Sequence, residues 1–110
     1  MAEMNFVNLT PHIIKVVDGV GNVVIEIPSS GSIARVTVNN QLVETVNGIE
    51  IYRAVFGAVV GIPEPAMDTI YIVSMVVRQG VPARSDVASP GELVRDANGN
   101  PVGARGLVIN

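Results

Sequence analysis

The amino-acid sequence predicts a mainly β protein, a small antiparallel barrel or sandwich with at most one short helix. Twenty-one of its 110 residues are valine, whose branched side chain is stiff and packs well on a pleated sheet. Short apolar runs alternate with Gly, Pro, Asn and Asp turn residues, which is typical of antiparallel all-β folds. Only four residues are Phe or Tyr and none is Trp, so we expect an aliphatic core. The length predicts a single domain over residues 1–110.

The first half of the chain divides into short strands at its turn residues. We expect these strands at residues 4–8, 12–18, 23–27, 33–38, 41–46 and 49–55. Thr10-Pro11 separates the first two, because proline lacks a backbone donor and disfavours helix in the residue before it. Asn47-Gly48 predicts a two-residue hairpin loop, because both residues tolerate a positive φ.

The second half begins with a strand at residues 69–74, whose composition predicts that it is buried. Residues 75–80 either continue this strand or form one short helical turn, since Met, Arg and Gln favour helices. Residues 82–92 predict a long ordered loop, and residues 93–95 and 102–109 predict a final hairpin. The turns that begin at Asp18 and Asp96 share a D-x-x-G-N pattern, which we interpret as common turn chemistry rather than duplication.

An apolar segment at residues 54–62 allows two interpretations. It is either a core strand or an exposed patch that a second copy of the chain covers. Because 48% of this small chain is apolar, one core has difficulty hiding it all, and we expect a homo-oligomer.

Composition also bears on partners and location. A net charge of −3 argues against general nucleic-acid binding, which depends on neutralising phosphates. The apolar runs are shorter than the roughly 20 residues that span a bilayer, and the first residues lack a basic segment, so we expect neither a membrane span nor a signal peptide. The chain has no cysteine, which excludes disulfides and favours a cytoplasmic location.

The sequence offers no complete catalytic or metal-binding pattern. The acidic residues are scattered, and His12 is the only histidine, so neither a zinc cluster nor a well-supported triad is predicted. We therefore expect no enzyme activity, no metal and no cofactor. His12 itself is interpreted either as a structural or surface residue or as a ligand contact.

Several polar residues are candidates for ligand binding. Six of the seven cations are arginine, the side chain that grips oxyanions with two parallel hydrogen bonds. Arg35 lies either on a solvated strand face or, with Ser29 to Ser32 before it, in an anion site, although no P-loop pattern is present. Arg84 and Asp86 lie in the proline-braced loop, where they either bind a ligand or pair with each other, or with Arg95 and Asp96.

Two further residues complete the candidate set. Ser74, at the end of a predicted strand, either reaches a site or caps the turn that follows. Tyr71, or alternatively Tyr52, is positioned to stack on a base. The candidate ligand-binding residues are His12, Arg35, Tyr71, Ser74, Arg84 and Asp86.

Four segments resemble a group of small phage and prophage proteins that open with N-L-T-P-H. These segments are residues 5–12, 28–35, 71–74 and 84–91, so the resemblance covers nearly the whole chain. It implies a phage origin and a role in the cytoplasm of an infected bacterium. By analogy, small phage proteins without catalytic residues often inhibit host defences or sequester their signals.

These observations support two functional hypotheses. The first is a non-enzymatic binding protein that captures a small anionic, nucleotide-like ligand, such as a host-defence signal. The alternative is a protein–protein inhibitor or assembly component that acts through the apolar surface at residues 54–62. A hydrolase that uses His12 and Asp86 is the least supported class.

Overall fold

The computed structural model describes residues 3–110. Over that range the chain forms β1 (Asn5–Asn8), β2 (Ile14–Val17), β3 (Val23–Ile27), β4 (Arg35–Val46), β5 (Ile49–Val60), β6 (Thr69–Ile72), α1 (Met75–Gln79), β7 (Val87–Arg95) and β8 (Pro101–Ile109). Strands make up 56% of the described residues and helix 5%, which confirms the predicted mainly β class with one short helix. The helix α1 is far too short to cross a membrane, and no other helix occurs in the described range.

Six strands form one mixed sheet in the order β1-β6-β7-β8-β2-β3. The pairs β2–β3 and β7–β8 are antiparallel, because five-residue turns join them directly. The pairs β1–β6, β6–β7 and β2–β8 are parallel, since long connections, one of them carrying α1, return the chain in the same direction. The described strands do not close into a barrel, and the expectation of an antiparallel sheet holds only for part of the molecule.

Two turns of the same design close the antiparallel hairpins of this sheet. The Asp18 Oδ1 accepts hydrogen bonds from the backbone N–H groups of Val20 and Asn22, both at 3.0 Å. The Asp96 Oδ1 accepts from Asn98 and Asn100 in the same pattern, both at 2.9 Å. The backbone N–H groups of Asn22 and Val20 lower the pKa of Asp18. The D-x-x-G-N pattern therefore reflects shared turn chemistry, as predicted.

The segment around α1 differs in part from the sequence expectation. Residues 75–79 form the helical turn, which decides between the two alternatives. The predicted loop at residues 82–92 is wrong in its second half, because β7 begins at Val87 and continues through Pro90 and Gly91. Strand β7 pairs with β6 only at Val87 and Ala88, so one of its edges is free at Pro90, where a residue without an N–H group is tolerated.

Strands β4 and β5 form a separate two-stranded hairpin, called here the arm. The predicted strands at residues 33–38 and 41–46 are one continuous strand, and the chain turns at Asn47-Gly48, whose φ values are 52° and 79°. At twelve residues each, both strands are about twice the usual strand length. The radius of gyration is 16.8 Å, against about 13 Å for a compact domain of this length, because the arm projects from the body.

The core lies where the six-stranded sheet, α1 and the root of the arm meet. Its buried residues are aliphatic apart from one tyrosine: Leu9, Ala34, Tyr71, Val73, Val77 and Val87. From the arm, only Val36 and Val59 pack against this cluster. The rest of the arm therefore extends beyond the hydrophobic core of the body.

Candidate functional site

The six predicted ligand-binding residues lie in three separate places. Tyr71, Arg84 and Asp86 form one cluster beside β6. Arg35 and Ser74 line a groove at the root of the arm. His12 is exposed on the connection between β1 and β2. The structure therefore brings two subsets together but does not assemble one pocket from all six.

The first cluster is a clamp made by Arg84 and Asp86. The Arg84 Nε and Nη2 atoms donate to the two carboxylate oxygens of Asp86 at 2.7 and 2.8 Å. The same Nη2 also donates to the Pro63 carbonyl at 3.0 Å. This pairing lowers the pKa of Asp86 and raises that of Arg84. The geometry matches the interpretation in which the two residues pair with each other, so a phosphate at Arg84 would have to compete with Asp86.

Tyr71 extends this clamp. Its hydroxyl donates to the Glu64 carbonyl at 3.1 Å, and its backbone N–H donates to the Asp86 carbonyl at 2.9 Å. The side chain is only 5% exposed, so its ring is part of the core and offers no stacking surface for a base. Together the clamp residues hold the segment that leaves the arm against β6 and the α1–β7 connection.

The N-L-T-P-H opening forms a buried corner centred on Asn8. The Asn8 Nδ2 donates to the carbonyls of His12 and Ile27 at 2.8 and 2.9 Å. Its Oδ1 accepts from the Thr10 backbone N–H at 3.0 Å and from the Thr10 hydroxyl at 2.7 Å. This arrangement engages the main chain of His12, whose side chain is exposed. The motif therefore has a structural role that accounts for Asn8 and Thr10.

The serine-rich segment before Arg35 is also internally bonded. The Ser29 hydroxyl donates to the Thr10 carbonyl at 2.7 Å and accepts from the Gly31 N–H at 3.2 Å. The Ser30 hydroxyl donates to the Ser32 carbonyl at 3.3 Å. Most of the donors that were expected to be free in this segment are therefore already bonded.

Arg35 instead shares a groove with Ser74. The groove has a volume of about 520 Å³ and lies between β4, α1 and the corner after β1. The Ser74 Oγ accepts from the Val77 backbone N–H at 3.3 Å, so this residue caps α1, as one of its two interpretations predicts. Thr10 and Thr37 also line this groove, but the Thr10 hydroxyl is already bonded to Asn8 Oδ1 at 2.7 Å.

A second groove, of about 620 Å³, contains none of the six candidate residues. It lies between β2, β7 and β8, and its lining is mainly apolar, with Lys15 as its one charged member. Lys15 is exposed and lies 3.9 Å from Glu26. No sequence signal indicated this groove, because its walls come from segments that are far apart in the chain.

The largest feature that the site prediction missed is the exposed apolar surface of the arm. Directly opposed residues share a face in an antiparallel pair, and Val38 opposes Phe56 while Leu42 opposes Tyr52. Their exposed fractions are 43, 47, 52 and 50% respectively. The segment at residues 54–62 gave part of this signal, and the structure confirms that most of it is exposed rather than in the core. The contribution of β4 was not anticipated.

Comparisons with known protein families, curated proteins and solved structures find no match. The resemblance to small phage proteins therefore stays a prediction from the four segments that suggested it. Among residues 3–110, no group of three or more His, Asp or Glu residues is arranged to hold a metal ion.

Proposed function

We propose that the protein is a non-enzymatic assembly component that self-associates through its arm. The observation that carries this proposal is the pair of twelve-residue strands whose apolar side chains extend beyond the core of their own chain. An isolated two-stranded hairpin is at best marginally stable in water, because it cannot bury enough apolar surface. A hairpin of this length therefore needs a partner to cover it.

The edges of the arm support the same proposal. Within residues 3–110 each of its strands pairs only with the other, so the outer backbone groups of both strands have no partner in the described sheets. Long apolar edges normally carry charges or prolines that prevent association. The arm has no proline and only four charged residues, Arg35, Glu44, Glu50 and Arg53. It consequently lacks most of the features that keep an edge strand monomeric.

Light scattering over a range of concentrations tests this proposal. We expect a mass that is a multiple of the 11.5 kDa chain, because the arm is covered by another copy. Phe56→Glu should shift the protein to monomer, since it places a carboxylate in the apolar surface. Val24→Glu is the matched control, because Val24 is an exposed strand residue away from the arm, and this variant should associate like the wild type. A monomeric wild type at tens of micromolar would reject the proposal.

Capture of a small anionic ligand is the second candidate function. The observation that favours it is the groove that Arg35 shares with Ser74, since an arginine beside a hydroxyl suits a phosphate or carboxylate. The clamp weakens the case, because Arg84 and Asp86 already bind each other. The candidate ligand site is therefore smaller than the sequence predicts, and it centres on Arg35.

A further inference from the structure

We propose that two copies of the chain pack their arms in opposite directions, face to face, around a two-fold axis at the Asn40–Ala54 pair. This inference rests on the proposed function and specifies its geometry. The surface involved is the face of the arm that carries Val38, Phe56, Leu42 and Tyr52, called here the inner face. Its partner is a second copy of the same face.

The inner face is a continuation of the surface that meets the core. Val36 opposes Val59 at the root of the arm, and both pack against the core cluster. A Cβ added at Gly80 would contact Val59 and approach Val36, so the end of α1 lies over this pair. Val38 follows on the same side of β4 two residues later. The face of the arm that the body covers at the root is therefore the same face that is exposed towards the tip.

The order of residues along the inner face is symmetric about Asn40 and Ala54. A large apolar pair lies on either side of this smaller pair, with Val38 and Phe56 towards the root and Leu42 and Tyr52 towards the tip. A two-fold rotation about this centre places β4 of one copy over β4 of the second copy, and β5 over the second copy's β5. Phe56 then meets the partner's Tyr52, and Val38 meets the partner's Leu42, as a self-complementary interface requires.

Charge is compatible with this arrangement. Tyr52 donates its hydroxyl to Glu50, which lies on the same face because the two residues are two positions apart. Glu50 is the one carboxylate that the register places on the inner face. Because it lies near the tip, the two copies of Glu50 are at opposite ends of the paired arms. No like charges therefore meet at the centre.

The area available is close to what a stable dimer needs. Each tip would reach the root of the partner's arm, where Met75 and Val76 of α1 are exposed. With these two and Val43 at the bulge, the surface includes seven large apolar side chains that are about half exposed. At up to about 100 Å² for half of a large side chain, they supply on the order of 600 Å² per copy. A standard interface buries about 800 Å² per partner.

Single cysteines test this geometry directly, because the chain has none of its own. Ala54→Cys places a thiol at the proposed axis, and Val55→Cys places one on the opposite face at the next residue. With a short bismaleimide crosslinker, Ala54→Cys should convert to covalent dimer while Val55→Cys should not. Both variants are first shown by light scattering to keep the mass of the wild type.

The other outcomes separate this inference from the proposed function. Crosslinking of Val55→Cys but not Ala54→Cys would overturn the inner-face geometry and leave self-association through the arm intact. Failure of both variants to crosslink, in an oligomeric protein, would overturn the face-to-face geometry, and the proposed function would then stand only if Phe56→Glu still produces monomer. A monomeric wild type would also overturn both.

Discussion

The side chain of Asn8 makes four hydrogen bonds within the local structure. It is 1% exposed and bonds to three other residues, so it closes the corner between β1, β2 and β3. A buried amide suits this position because it offers two donors and an acceptor at once. A carboxylate or an aliphatic residue cannot meet the same set of partners.

Replacing Asn8 should therefore lower stability strongly. We expect Asn8→Ala to reduce the free energy of unfolding by on the order of 3 kcal/mol, because it leaves several buried polar groups unpaired. Asn8→Asp should be worse at neutral pH, since it brings a negative charge towards the His12 and Ile27 carbonyls. Urea unfolding measures both. If Asn8→Ala unfolds at the urea concentration of the wild type, the corner does not depend on this residue.

The Arg84–Asp86 clamp predicts that part of the protein's folding stability is lost in acid. The pairing with Arg84 lowers the pKa of Asp86 in the folded protein, so its stabilisation is present above the unfolded value of about 3.9. That stabilisation is lost as pH falls through the lower folded value. Asp86→Asn should be less stable at neutral pH and should lose less stability between neutral pH and strong acid. Denaturant titrations at several pH values measure this, with Glu92→Gln, an exposed carboxylate on β7, as the control. An identical pH profile in Asp86→Asn and the wild type would contradict the clamp.

Arg35 is the residue on which the anion-binding candidate depends. Lysine keeps the charge but replaces a planar fork with a single donor group. If Arg35 grips phosphate with two hydrogen bonds, Arg35→Lys should weaken adenosine monophosphate binding by about tenfold, or about 1.4 kcal/mol. NMR titration measures the affinity, and the exposed position predicts little change in folding. Equal affinity in the lysine, alanine and wild-type proteins would remove Arg35 from any anion site.

At the scale of elements, the strands closed by local turns were the most predictable. The strand at residues 23–27 and the turns at Asp18, Asn47 and Asp96 follow from residues that are adjacent in sequence. The parallel pairs were not predictable in the same way, since the pairing of β1 with β6 joins segments about sixty residues apart. Pro90 and Gly91 favoured a loop, but burial of the preceding residues between β6 and β8 keeps them in a strand.

The candidate site shows the same division between local and distant information. The mutual pairing of Arg84 and Asp86 and the capping by Ser74 are contacts within three residues, and the sequence offered both as alternatives. The burial of Tyr71 and the hydrogen bond from Ser29 to the Thr10 carbonyl depend on distant parts of the chain. A pattern of polar residues therefore could not show which donors were already engaged.

Gly91 provides a test of how β7 and β8 pack. A Cβ at this position would overlap the backbone carbonyl of Arg105, which has little freedom to move within β8. Gly91→Ala should therefore lower the free energy of unfolding by about 2 kcal/mol or more. Glu92→Ala is the neighbouring control, because its side chain is exposed. Equal urea midpoints for the two variants would show that the strands separate here at little cost.

At the scale of the whole molecule, the body and the arm have different sources of stability. The body has a buried core and internally bonded corners, whereas the outer arm has only its own ladder of backbone hydrogen bonds. Exposed ladders of this kind open with a small free energy, while core strands open only with global unfolding. We therefore expect the protection of the arm from hydrogen exchange to depend on the partner that covers it.

Hydrogen exchange at two protein concentrations tests that dependence most directly. Dilution separates associated copies by mass action, so it should uncover the arm without unfolding the body. We predict that backbone amides in β4 and β5 beyond the root exchange faster in dilute protein, while those of β6 and β7 are unchanged. Arm amides that exchange at the same rate across a concentration range from nanomolar to hundreds of micromolar would contradict the proposal that another copy of the chain covers the arm.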